Sequence, residues 1–555
     1  FAMALSRRRF IAGSAAVGAA GALASHPLAS RLGPGATAAP AAPAIPAIPA
    51  VPSDATFAAL PTEDVMMDWV GQMCSRGVRL PGYPAGIWTE DFIESTFRDL
   101  GLEGVYRQPV QSVMWTPLRW SVEAVTPDGA VEAIDAWPIP YGKPTAGVEE
   151  YDLVDHATTP TAGLRGKAVL CDHTMRSAPA DVMVHLGPLA REDPPERIYD
   201  PDGELGEVQH FPTGDGPSFE AVDAAGGGAF IGTLVDYLND SCRYFLPYWE
   251  NDYSMPAVWV RESGGRRLRA LLAEFGTVRI QISVESAEEE VTTYNIVGEL
   301  PGADDELVMV GSHHDGPWAS AVEDAAGVAL TLAQATYWAA QPQAQRPHRL
   351  VFSLNAGHMY DGAGLWAFVD ARRSDLPRTV LEVHLEHAGR EVRVEGDELV
   401  LTGRCVPRWI FSSRIPQLEQ AIYDALVRND LRRSMILDPE ALSDAPPTDG
   451  SAFYREGVPI VHLAPPAWYL FDEQDTPDKV DRENLVALSK AFVEIIRSTT
   501  GVSAAQMRSW TVTSPPTTPS SSTPPTPPTP SVDPGGAPER ATPATPVPGA
   551  PTYTG

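Results

Sequence analysis

At 555 residues the chain is long enough for several domains, each able to bury a core. Its net charge of -31 argues against a nucleic-acid partner, whose phosphates need Lys and Arg, and suits a soluble protein in a salty or extracellular setting. Four widely spaced cysteines, Cys74, Cys171, Cys242 and Cys405, exclude zinc-ribbon and thioredoxin-like motifs, and leave room for one or two disulfides in an exported chain.

Residues 1–31 read as a targeting segment. Ser6-Arg7-Arg8-Arg9-Phe10-Ile11 gives a basic start with a twin arginine, and an Ala/Gly/Val stretch follows, with Ala22-Leu23-Ala24 as a cleavage site. The pattern resembles a twin-arginine export signal, so the expected location is extracellular, cell wall or periplasm. The apolar part is too short to span a bilayer well, and no membrane span is expected after its removal. Residues 32–53 form an Ala/Pro linker. Order is expected from about Thr62, which can cap a helix with Val65, Met66, Trp69 and Met73 on one face. Thr89 is expected to cap a second helix, with Phe92, Ile93, Phe97 and Leu100 inward and Gly101 as its stop.

From about 115 to 290 short strands alternate with turns, for example Lys167 to Leu170, Ala229 to Gly232 and Ala257 to Val260. The polar stretch 175–217 reads as a long loop, with His173, His185 and His210 as surface histidines. Residues 503–555 turn into Pro/Thr/Ser repeats, a composition that cannot build a core and is expected to be disordered.

Between Tyr294 and Gly389 the texture is β-α. Three apolar runs, Leu307–Val310, Leu350–Leu354 and Val380–Leu385, read as buried strands. They deliver Ser312-His313-His314-Asp315, Gly357-His358 and His384-Leu385-Glu386-His387. Ligands of open α/β sheets bind beyond the carboxyl ends of strands, so these ends are expected to form one site. The pattern continues with a helix at Leu418–Val427, a strand at Pro459–Leu463 and a helix at Arg482–Ile496. No G-x-S-x-G, Gly-rich phosphate loop with Lys, or H-E-x-x-H is present.

These residues resemble the di-zinc exopeptidase family of the secreted bacterial leucine aminopeptidases, in the branch with an inserted protease-associated domain. The resemblance rests on Asn295-Ile296-Val297-Gly298, His313-x-Asp315, Asp324-x-x-Gly327 and Asp475-Thr476-Pro477-Asp478-Lys479-Val480. For the insertion it rests on Leu164 to Leu170, Ala225 to Ala229 and Met255 to Val258. It implies an α/β fold: a three-layer, mixed-sheet peptidase-like domain at 54–114 and 291–502, with a β-rich protease-associated domain at 115–290.

The family's chemistry uses two zinc ions bridged by a carboxylate and a water. Carried over by position, His313 is the first His ligand, Asp315 the carboxylate that orients it, Asp324 the bridging carboxylate and Glu386 a further ligand. The family's Glu-Glu pair falls on His358-Met359, and its last His on Phe471, where Met and Phe cannot hold a divalent cation. The implied cofactor is therefore zinc or another divalent metal, one ion rather than two, held by His313, Asp324 and Glu386. His358, with Asp315 behind the site, is the candidate acid/base, or alternatively a ligand. His314, His384 and His387 are candidate additional ligands. The expected function is an exported metal-dependent hydrolase of the aminopeptidase type acting on a peptide or small amide. The alternative is a catalytically inactive binding ectodomain on the same fold. Substrate, metal identity, disulfide pairing and oligomeric state are not written in the sequence.

Overall fold

The computed structural model describes residues 57–179, 199, 207–212, 219–248, 254–396, 398–441 and 444–512. The expected signal, the Ala/Pro linker and the repeats beyond 512 lie outside the described residues. The first part carries β1 (Glu103–Val125), β2 (Val131–Ile134), β3 (Ala136–Pro138), β4 (Glu149–Asp155), β5 (Ala168–Pro179), β6 (Glu207–Pro212), β7 (Ala229–Val235), β8 (Ala257–Val260) and β9 (Arg279–Leu300). The second carries β10 (Leu307–His313), β11 (Arg349–Asn355), β12 (Thr379–Leu385), β13 (Arg390–Glu395), β14 (Glu398–Cys405), β15 (Arg408–Ser412), β16 (Ser434–Leu437) and β17 (Ile460–Leu463).

The main sheet runs β16-β15-β17-β12-β10-β11-β9 and continues through β4-β5-β7-β8-β3. β10 is parallel to both β11 and β12, and β12 is parallel to β17. All seven residues of β10 are buried, as a parallel strand covered on both faces requires. Alternate side chains serve two cores. Val308 and Val310 join the core that holds the helix α1 (Ala326–Ala339), while Leu307 and Met309 join Leu365, Phe368 and Val369 of the helix α2 (Ala363–Ala371). This is the three-layer arrangement, with helices on both faces of a mixed sheet. Val328, Leu330 and Leu332 of α1 are fully buried, each contributing roughly 2 kcal/mol of burial free energy.

β1 and β9 are antiparallel over most of their length, from Glu103↔Glu299 to Val125↔Arg279, with two register shifts. One end of β9 joins β11 in the main sheet and the other joins β4. A second core gathers Val122, Ile134, Leu170, Ile231, Val258, Leu268 and Ile280 beneath the helix Glu262–Phe275. Residues 115 and 290, the expected limits of the insertion, both lie inside these two long strands.

Several local expectations change. Thr62 does cap its helix, Glu63–Cys74, accepting from Val65 N–H, but the buried face is Met66, Val70 and Met73, and Val65 is exposed. Thr89 is not a cap. It lies within the helix Pro84–Asp99, which starts at the proline, and its hydroxyl donates to the Ala85 carbonyl at 2.8 Å. Parts of the expected loop 175–217 are strand, in β5 and β6. His173 is buried against Phe230 and Trp259 rather than on the surface, because β5 is covered on both sides. His185 and the side chain of His210 lie outside the description. The expected tail begins with a packed helix, Ala504–Ser509, anchored by its own Arg508 donating to the Leu376 and Gly457 carbonyls. The four cysteines are unpaired. Among the described residues no helix is long and apolar enough to cross a membrane.

Candidate metal centre

The three strand ends meet as expected. His313 closes β10, His358 follows β11, and Glu386 and His387 follow β12. The carboxylate at their centre is Glu323, on the single π-turn Ala321–Ala325 that leads into α1. Its Oε1 lies 3.3 Å from His313 Nε2 and 3.4 Å from His358 Nε2, and its Oε2 lies 2.6 Å from His387 Nε2. Neither oxygen makes a well-directed hydrogen bond, nor does His313 Nε2, and all are buried. Asp475 fixes the turn by accepting the backbone N–H groups of Val322 and Glu323. Arg79, itself buried, braces the preceding loop by donating to the carbonyls of His314, Ala319 and Ser320.

His313 and His358 each have the far nitrogen occupied. His313 Nδ1 donates to the Asp315 carbonyl at 3.1 Å, and His358 Nδ1 donates to Asp449 in a short bond. Both Nε2 lone pairs therefore turn toward Glu323. The two rings stack with centroids 4.0 Å apart. A tetrahedral zinc with bonds of about 2.0–2.1 Å has ligand–ligand edges of about 3.3–3.4 Å. The two Nε2–Oε1 distances of 3.3 and 3.4 Å match those edges, so the donor set His313, Glu323 and His358 fits a divalent cation. The 2.6 Å contact from His387 is too short for such an edge and is an ion-pair distance.

Below this lies a second group, His384, Glu386 and Asp449. His384 Nε2 is 3.1 Å from Glu386 Oε1, and its Nδ1 donates to Glu382 at 3.0 Å. Glu382 also accepts from His462 Nε2 at 2.6 Å, and Thr448 donates to His462 Nδ1 at 2.7 Å. The electrostatics follow from burial and pairing. Burial alone would push the imidazoles down, but the carboxylates outweigh it, holding His313 well above its ordinary value, His387 up to about 9 and His384 up to about 10. Burial would raise Glu323, yet His387 and His313 hold it well below the usual carboxylate range.

Residues 295–496 match peptidase family M28. That segment is a peptidase family M28 domain. Solved structures agree on the fold of the M28 domain and much of the chain around it. A peptidase M28 precursor from Shewanella amazonensis SB2B is 17% identical, covers 79% of this chain and 97% of its own, and superposes with a TM-score of 0.57. An aminopeptidase from Aneurinibacillus sp. strain AM-1 is 16% identical over 80% and 94%, with a TM-score of 0.52. A zinc aminopeptidase from Bacillus subtilis is 14% identical over 79% and 95%, with a TM-score of 0.53. No curated protein matches the sequence significantly.

Within the M28 domain the expected site residues divide. His313, His358, Glu386 and His387 converge, and His384 sits just beneath them. Asp324 does not face the centre. Its carboxylate accepts from Gly327 N–H and His387 N–H, each at 3.1 Å, and from the Ser312 hydroxyl, while its neighbour Glu323 takes the central position. Asp315 acts on His313 through its backbone carbonyl, the carboxylate being 3.6 Å away and occupied by the N–H groups of His358 and Met359. His314 points away, donating from Nε2 to the Tyr294 carbonyl at 3.0 Å. Met359 is buried in the main core, and Phe471 packs against Tyr248, whose hydroxyl donates to His358 Nε2 at 3.0 Å. Glu323, Asp449 and Tyr248 were not among the sequence candidates. A Cβ at Gly450 would lie 2.1 Å from His462 Cε1, so a side chain there would force the His462 ring to move.

Proposed function

We propose that the protein is an exported metal-dependent hydrolase of the aminopeptidase type, cleaving a peptide or related small amide by metal-activated water. The observation that carries this reading is the Glu323 carboxylate, buried, without well-directed hydrogen bonds, and ringed by imidazole nitrogens. An ion there would be held by His313 Nε2, Glu323 Oε1 and His358 Nε2, and would supply Lewis-acid activation of a water or an amide carbonyl. The Bacillus subtilis neighbour is a zinc enzyme by name, so zinc is the first ion to try.

The remaining groups handle position and protons. The Asp315 carbonyl and the Asp449 carboxylate keep the His313 and His358 protons on Nδ1. His358 and His387, with side chains 12% and 11% exposed, are the imidazoles on the side open to a substrate. His387, a cation at neutral pH, can give a proton to the leaving amine. Glu386, held below the usual carboxylate range, can accept one from water and return it through Oε2, the oxygen 3.7 Å from His387 Nε2 and turned away from His384. In this reading His358 is a ligand rather than the acid/base. Residues 115–290 would be a protease-associated domain, and the twin-arginine segment would export the chain.

A second reading, an inactive peptidase-fold binding protein, is favoured by Met359 and Phe471, apolar residues at two positions where the family has ligands. The test is metal content of the full chain after dialysis, beside His313→Ala, together with turnover of aminoacyl p-nitroanilides. Retained zinc lost in the variant, with amide turnover lost in parallel, supports the hydrolase. Absence of retained and added metal binding supports the binding protein.

A further inference from the structure

We infer that the M28 domain holds a second divalent cation on His384 Nε2, Glu386 and Asp449 Oδ2, a ligand set other than the one the family resemblance implies. It rests on the proposed reading only in that both ions would serve one centre. The ligand atoms of these residues lie within 4.8 Å of one another, and all three side chains are buried. Two of those atoms are orphans. Asp449 Oδ2 has no hydrogen-bond partner, and His384 Nε2 makes no hydrogen bond although Glu386 Oε1 is 3.1 Å away. A buried carboxylate oxygen without a donor loses its solvation with nothing in exchange, a cost that a cation removes.

The surroundings are those of a metal site. His384 Nδ1 donates to Glu382, which His462 holds from its other oxygen, so the Nε2 lone pair faces Glu386 and Asp449. Asp449 divides its two oxygens, one to His358 Nδ1 and the other toward this pocket. Charge points the same way. Asp315, Glu323, Glu382, Glu386 and Asp449 form a linked, buried set of carboxylates, and their partners within it are imidazoles, with no Lys or Arg bonded to any of them among the described contacts. One nitrogen and two carboxylates suit zinc, manganese or another first-row divalent ion.

The test is zinc content by elemental analysis on the full chain, stripped with chelator and reloaded. His384→Gln removes the nitrogen. Asp449→Asn keeps an acceptor for His358 Nδ1 and replaces the ligating oxygen with an amide, which serves if the first variant folds poorly. Circular dichroism checks the fold of each. The expected result is two ions in the parent and one in His384→Gln, Asp449→Asn and His313→Ala alike. One ion in the parent, kept in His384→Gln and lost in His313→Ala, overturns the second site and leaves the proposed function standing. One ion lost in His384→Gln and kept in His313→Ala upholds this site and overturns the first. No ion in any protein overturns both.

Discussion

Glu323 and Asp324 are chain neighbours whose carboxylates face opposite ways. Asp324 Oδ1 takes two backbone N–H groups at 3.1 Å, from Gly327 and His387, and so ties the start of α1 to the end of β12. Glu323 faces His313, His358 and His387. One residue is part of the scaffold, and the other is the centre of the pocket. Burial pushes Asp324 up to about 7, which fits a group that serves hydrogen bonding rather than charge.

This relationship predicts a split between two substitutions. Glu323→Gln removes the central charge and is expected to weaken zinc binding by on the order of a hundredfold or more, as loss of a ligand should exceed loss of an outer partner. Asp324→Ala leaves two buried N–H groups without an acceptor, at about 1–3 kcal/mol each. It should lower Tm by several degrees and more than Glu323→Gln does. Calorimetry and zinc titration on both variants check this. Equal loss of zinc affinity with no change in Tm for Asp324→Ala would return the ligand role to Asp324.

A second prediction concerns protons. His313 and His358 have raised pKa values, because neighbouring carboxylates outweigh burial. A metal thus competes with protons for these imidazoles at higher pH than it would at an ordinary histidine. Zinc affinity is therefore expected to climb as pH rises from 6 to 8, and each binding event should release protons. Titration calorimetry in buffers of different ionisation enthalpy reads the number released. No release would mean that neither imidazole is a ligand.

The strand ends were legible because each apolar run stops at a His or Glu, and a buried parallel strand ends where its apolar run does. That fixed His313, His358, Glu386 and His387 near one another before any geometry was known. Glu323 was not legible. Spacing cannot separate two adjacent carboxylates, and the choice is made by the π-turn and by Asp475, more than 150 residues away. Asp449 and Tyr248 reach His358 from other parts of the chain, a contact no local pattern encodes. His173 was misplaced because the polar residues after it suggested a loop, while the strand that carries it is buried between Phe230 and Trp259.

That misplaced histidine gives a third prediction, on stability. Burial pushes His173 down to about 4, and its Nε2 lacks a partner. Between about pH 6.5 and 4 the unfolded chain binds a proton that the folded chain refuses. Stability is therefore full above pH 6.5 and falls as pH drops toward 4, by about 3 kcal/mol at roughly 1.4 kcal/mol per unit. His173→Phe should remove this component, seen as a flatter urea-unfolding free energy between pH 4.5 and 7. An unchanged pH slope would show that His173 is already charged in the folded state.

The last prediction separates the two roles open to His358. Tyr248 donates its hydroxyl to His358 Nε2 at 3.0 Å, the same lone pair that a metal would take. Burial and the surrounding carboxylates hold the partly buried Tyr248 phenol well above its ordinary value, so it is a donor at any working pH. If His358 is a ligand, the hydroxyl competes with the ion. Tyr248→Phe then removes the competitor, and zinc affinity should rise by about tenfold, the worth of one hydrogen bond of about 1–1.5 kcal/mol. Amide turnover at saturating zinc should stay within a few-fold. If His358 is the acid/base, the hydroxyl orients it instead. Zinc affinity would then be unmoved, while kcat would fall and its pH profile shift. Zinc titration and a kcat–pH profile on the one variant read both arms.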